Sequence, residues 1–169
     1  MIPTSGLVGR LERVMRMDSS VYSEIQADPG TLPQAFVVVL GTAVLIGVGQ
    51  GSPAAVFLGI AGALGSWGLS TLLIWLAGTL VSESEAVYSE LLRCAGFAFA
   101  WNSLGIAASL PWIGGLAEWA GLLLWTGSLF LAARAVFSLS PARTGVMCAL
   151  AVGLPLLVAL AAGAREVGG

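Results

Sequence analysis

The sequence predicts an all-α, polytopic membrane protein: a bundle of five transmembrane helices preceded by a short amphipathic N-terminal helical segment. Three observations predict it. The first is composition. Of 169 residues, 57% are hydrophobic and 9% charged, against about 45–50% and about 25% in soluble domains. The chain has too little polar surface to close a soluble domain, so the bilayer must act as its solvent. The second is the length of the apolar runs: from Leu91 to Leu110 only Arg93 carries a charge, and a helix of that length covers about 30 Å, the hydrocarbon thickness of a bilayer. The third is punctuation. Clusters such as Gln50-Gly51-Ser52-Pro53, Pro111 with Gly114-Gly115, and Ser138-Leu139-Ser140-Pro141 cut the apolar sequence into pieces joined by turns short enough to make neighbours antiparallel.

Residues 1–32 read as a cytoplasmic segment with no cleavable signal, since no apolar core follows a basic start. Leu7, Leu11, Val14 and Met15 recur at helical spacing, with Arg10, Arg13 and Arg16 assigned to the other side. Such a helix either lies flat on the membrane surface or packs on the cytoplasmic ends of the spans. A second short helix runs from Ser19 or Ser20 to Gln26, with Val21, Tyr22 and Ile25 on one face, and Asp28-Pro29-Gly30 breaks it. Thr31-Leu32-Pro33-Gln34 has the form of a capping box.

The transmembrane domain covers 33–164, with spans at about 34–50, 54–81, 91–110, 113–137 and 145–163. The second is longer than a bilayer needs, so tilt is expected. It carries Gly59, Gly62, Gly65 and Gly68 at every third position. These read as a helix-packing seam, with a binding cleft as the alternative. Ser82-Glu83-Ser84-Glu85 forms an acidic loop. Ser140 or Thr144 is placed to cap the fifth helix, Pro155 should kink it, and residues 165–169 form a short external tail. Five spans put the termini on opposite sides. Six of the seven arginines fall on the N-terminal side, which the positive-inside rule makes cytoplasmic.

Composition also excludes chemistry. The chain has no histidine, and its seven basic residues are all arginine. That removes a Walker or Schiff-base lysine, histidine triads and histidine ligation of metals. Cys94 and Cys148, each in or beside an apolar run, read as small buried hydrophobes. A net charge of −2 gives no reason to expect nucleic acid. No catalytic, cofactor or metal site is expected, and no enzyme.

Arg10-Leu11-Glu12-Arg13-Val14, the run Val21-Tyr22-Ser23-Glu24-Ile25-Gln26-Ala27-Asp28-Pro29, and Gln34-Ala35 together resemble the YIP family, the five-span Ypt/Rab-interacting membrane proteins, in its prokaryotic branch. Glu90-Leu91-Leu92-Arg93-Cys94-Ala95-Gly96-Phe97-Ala98, the turn from Pro111 to Gly114, and Ala133-Arg134-Ala135 extend the resemblance over nearly the whole chain. It implies a five-span bundle with a cytoplasmic N-terminus. Eukaryotic members imply contact with prenylated Rab GTPases, which a bacterium lacks. The arginine-only, alanine- and glycine-rich composition suggests a high-GC bacterium and its cytoplasmic (inner) membrane. Where relatives often place a proline soon after Gly-Phe-Ala, Ala100-Trp101-Asn102 here is expected to continue a straight helix.

The candidate interaction residues are the charged and polar groups in or near spans, because charge in hydrocarbon costs about 2.5–3.5 kcal/mol on insertion scales. Arg93 stands near a helix start, where the dipole disfavours it and an acidic partner such as Glu90 is needed. The expectation is that Arg93 and Arg134 clamp the Glu24 to Asp28 segment, or an anionic lipid headgroup at the cytoplasmic face; the alternative for Arg134 is snorkelling. Glu118 either pairs with Asn102 across the turn between spans three and four or sits in the first turn of span four under its dipole. Trp112, Trp119 and Trp125 read as belt and packing residues. Two function classes follow. One is a scaffold, adaptor or accessory subunit meeting other membrane proteins or itself in the bilayer. The other is a small transporter or channel component for a hydrophobic or small charged solute.

Overall fold

A computed structural model describes residues 6–51, 53–82 and 86–149. All regular structure among them is helical, in the order α1 (Leu7–Met15), α2 (Ser20–Ala27), α3 (Thr31–Gly49), α4 (Pro53–Val81), α5 (Tyr88–Ala98), a 3-10 stretch (Phe99–Ser109) and α6 (Gly114–Phe137). Residues 141–149 are helical as well. Three of these helices, α3, α4 and α6, are long and apolar enough to cross a membrane. The remainder of the fifth expected span with Pro155, the tail 165–169, and Glu83 and Glu85 of the acidic loop lie outside the described residues.

α3 lies against α4, α5 and the 3-10 stretch, and α6 lies against α5 and the 3-10 stretch. α1 and α2 cover one end, with α2 resting on α5 and α6. The buried positions of α4 are Ala63, Trp67, Thr71, Ile74 and Gly78, a single narrow stripe at helical period. Its remaining surface is apolar and outward: Phe57 is 75% and Leu80 86% exposed. A helix that is apolar all round yet buries one stripe needs hydrocarbon on its other sides. Hydroxyls within it bond to the preceding turn, as Thr71 Oγ1 does to the Trp67 carbonyl at 2.7 Å and Ser70 Oγ to the Ser66 carbonyl at 2.6 Å, so they carry no unmet polarity into the bilayer.

Four sequence expectations are corrected here. Arg10 does not stand on the outer side of α1: it is 2% exposed. Positions 7, 10, 11 and 14 share one helical face, so the spacing that buries Leu7, Leu11 and Val14 buries Arg10 with them. The glycine row of α4 is not a packing seam within the chain. Three-residue steps fall about 60° short of a turn, so four glycines drift halfway round the helix. A Cβ at Gly62, Gly65 or Gly68 would meet nothing, and one at Gly59 would only touch the Ala43 carbonyl at 3.5 Å. The tight α3–α4 crossing uses Gly47 instead, where a Cβ would fall 2.6 Å from the Val56 Cα.

Thr31 is not part of a capping box. It is the first residue of α3, and its hydroxyl donates back to the carbonyls of Asp28 (2.7 Å) and Ile25 (3.0 Å). The fourth correction concerns span three. Ala100-Trp101-Asn102 does not continue a straight α-helix; the chain tightens to 3-10 geometry at Phe99. Asn102, Ser103 and Gly105 defend an α ladder weakly, and the slimmer coil is squeezed from both sides. A Cβ at Gly49 of α3 would stand 2.7 Å from the Ile106 carbonyl, and one at Gly121 of α6 would stand 3.1 Å from that of Trp101. α5 and the 3-10 stretch together rise about 38 Å.

Candidate functional site

Two polar regions stand out, one at each end of the bundle. At the α1–α2 end, Glu24 is 8% exposed and held between two arginines. Arg10 Nε donates to Glu24 Oε1 at 2.9 Å and Arg13 Nη1 to Oε2 at 2.6 Å. Arg10 continues with Nη2 to Asp28 Oδ2 at 2.8 Å and Nη1 to Gln34 Oε1 at 3.0 Å. One buried guanidinium thereby ties α1 to α2, to the turn after it and to the start of α3. Its planar fork makes this possible. Arg13 extends the network outward to Asp18 Oδ2 (2.9 Å) and Ser20 Oγ (2.8 Å). Hydrogen bonds from Ser20, then from Arg13, lower the Asp18 pKa to about 2. The Asp18 contact raises that of Arg13.

α5 grips the same segment. Arg93 Nη2 donates to the Gln26 carbonyl at 2.7 Å, meeting an acceptor that the last turn of α2 leaves unpaired. Gln26 Nε2 donates to Glu90 Oε2 at 3.0 Å, and the Cys94 thiol donates to the Tyr22 carbonyl at 3.5 Å. Glu90, Arg93 and Cys94 are spaced to share one helical face. Tyr22 passes deeper, its hydroxyl hydrogen-bonded to that of Ser128 in α6. Burial raises the pKa of this phenol.

The structure thus brings Glu24, Asp28, Glu90 and Arg93 together but leaves Arg134 out. The clamp on Glu24 and Asp28 is Arg10 with Arg13, while Arg93 holds a backbone carbonyl. Arg134 is exposed and makes no ion pair among the described residues. Arg10, Arg13, Gln34, Gln26, Tyr22 and Ser128 lie outside the candidate interaction residues that the sequence suggests; of these, Arg10 and Tyr22 carry a signal in the apolar faces that they share.

At the opposite end, Gln50, Asn102 and Glu118 line a cleft of about 240 Å³ with Ile46, Gly105 and Gly121. Asn102 and Glu118 therefore face a common space, joined by Gln50 from the end of α3. α6 starts at Gly114, so Glu118 begins its second turn rather than lying in its first. Around it Trp112 is fully exposed and Trp119 is 64% exposed, whereas Trp125 meets Phe99 edge-on at 6.2 Å. Both cysteines are buried and free. No group of three or more side chains suited to a metal ion forms among the described residues.

Among the described residues these features define a helical protein with three membrane-compatible helices and two unlike polar ends. No family model, curated protein sequence or solved structure matches the chain.

Proposed function

We propose that this chain is a five-span protein of the YIP type in a bacterial cytoplasmic membrane, acting without catalysis as a scaffold, adaptor or accessory subunit of a larger membrane complex. In this reading α5 and its 3-10 stretch make the crossing between α4 and α6, and the residues from 141 onward begin the fifth. The α1–α2 end faces the cytoplasm because six of the seven arginines gather on that side.

The observation that carries the proposal is the α1–α2 cap itself. Helices of nine and eight residues do not hold together alone. Here a buried arginine network fixes them in one geometry on the bundle, with Val8, Glu12 and Arg16 turned outward. Such a preorganised surface presents itself to a partner without an ordering penalty on binding. Extraction from native membranes in mild detergent, followed by native sizing and identification of co-migrating proteins, tests this. A stoichiometric larger assembly is expected; a lone monomer or homo-oligomer would sink the proposal.

A second reading, a small transporter or channel component, rests on the cleft of Gln50, Asn102 and Glu118. Its test is solute flux in proteoliposomes, where Glu118→Gln must change the rate for the reading to stand.

A further inference from the structure

We infer that the cleft between the start of α2 and the end of α6 binds a phosphate group. The cleft encloses about 280 Å³ and is lined by Ser19 and Ser23 on one side, by Arg134 and Ser138 on the other, and by Leu131 and Leu139. That volume accommodates a phosphate and several waters. The hydroxyls of Ser19 and Ser23 thus line the same cleft as the Arg134 guanidinium and the Ser138 hydroxyl.

The charge balance favours an anion. Arg10, Arg13 and Arg16 each make an ion pair, whereas Arg134 makes none among the described residues. The acidic groups next to the lining serines in sequence are already engaged, Asp18 by Arg13 and by the amide and hydroxyl of Ser20, and Glu24 by Arg10 and Arg13. A guanidinium fork matches phosphate oxygens two at a time, and hydroxyls can donate to the others. The helix end is shaped for this. Helices commonly finish on a left-handed glycine, but α6 finishes on Ser138 at φ 51°, ψ 31°, placing a residue with a hydroxyl where glycine is favoured. Leucines on the remaining wall suit an anion that carries an apolar body. The phosphate can therefore belong to a lipid headgroup or to a free anion.

This site stands apart from the scaffold proposal, since phosphate can bind whether or not a protein partner is present. The test uses the full chain purified in mild detergent. Binding is measured for short-chain phosphatidic acid, inorganic phosphate and, as control, short-chain phosphatidylcholine, with thermal unfolding of each variant recorded alone. Saturable binding of phosphatidic acid is expected, weakened about tenfold or more by Arg134→Gln, partly restored by Arg134→Lys, and weakened severalfold by the Ser19→Ala/Ser23→Ala pair. Inorganic phosphate competing with comparable affinity would support the site with a free anion as ligand; no competition would support it with a lipid as ligand. Undiminished binding by a folded Arg134→Gln, equal binding of phosphatidylcholine, or no binding of either phosphate probe would overturn the inference. Should Arg134→Gln not fold, the serine pair decides: unchanged affinity there overturns the site.

Discussion

The two ends of this bundle treat polar groups in opposite ways. At the α1–α2 end five charges answer one another: Arg10, Arg13, Glu24, Asp18 and Asp28 form one connected set whose innermost members, Arg10 and Glu24, are nearly fully buried. At the other end Gln50, Asn102 and Glu118 line a cleft rather than close it. A buried, internally matched set fixes a shape, and its value is lost when one member goes. A polar cleft fixes little of the fold and remains free to meet something else. The position of a charge in an apolar sequence therefore says less about its role than whether the chain supplies its partner.

The sharpest way to break this comparison is to remove Glu24. Glu24→Ala leaves Arg10 buried with Asp28 and Gln34 alone, and a loss of about 3–5 kcal/mol is expected in unfolding experiments in detergent. Replacing both members, as Arg10→Met/Glu24→Met, should come within about 2 kcal/mol of the parent, because the groups that lose a partner, Asp28 and Arg13, are both partly exposed and no fully buried charge is left alone. A double variant as unstable as Glu24→Ala would mean that the network contributes through its hydrogen bonds rather than through mutual neutralisation.

Next in size is the backbone contact of α3 with α4. Gly47→Ala forces a Cβ onto the Val56 backbone and should cost about 1–3 kcal/mol. Gly62→Ala and Gly65→Ala, which meet open space, should be neutral or slightly stabilising. Equal losses at all three sites would restore the glycine row as a working seam. Smaller still, Glu118→Gln should change thermal stability by less than about 0.5 kcal/mol, and a larger loss would move Glu118 from the open class to the matched one.

The smallest effect belongs to Asp18. Its folded pKa is depressed to about 2 from an ordinary 3.8, so its contribution is present above the ordinary value and disappears as pH falls through about 2. The stability difference between the parent and Asp18→Asn should therefore shrink as pH is lowered from 5 towards 2. Solvent screening at this partly exposed site keeps the difference small at every pH.

Much of this architecture is legible in the sequence because the bilayer enforces it. Low charge, apolar length and Pro/Gly punctuation place α3, α4 and α6 to within a few residues. What escapes is what depends on the third dimension. Arg10 was readable in principle, since 7, 10, 11 and 14 form a face, but an arginine among leucines is ordinarily assigned outward unless a buried acid is already known. Thr31 and Gln34 match a capping pattern, yet the hydroxyl and amide are claimed by the turn before them and by Arg10. Gln50 reads as a loop residue and joins Asn102 and Glu118 only because α3 and α6 both pack against the 3-10 stretch.

The change of pitch at Phe99 also ties length to direction. A 3-10 coil advances about 0.5 Å further per residue than an α-helix and turns about 20° more. Over the eleven residues from Phe99 to Ser109, winding the same chain as an α-helix would shorten it by about 5 Å. By Asn102 the two windings already differ by about 60° in azimuth. The height to which this segment climbs and the compass bearing of its one carboxamide are thus a single mechanical variable, set by pitch.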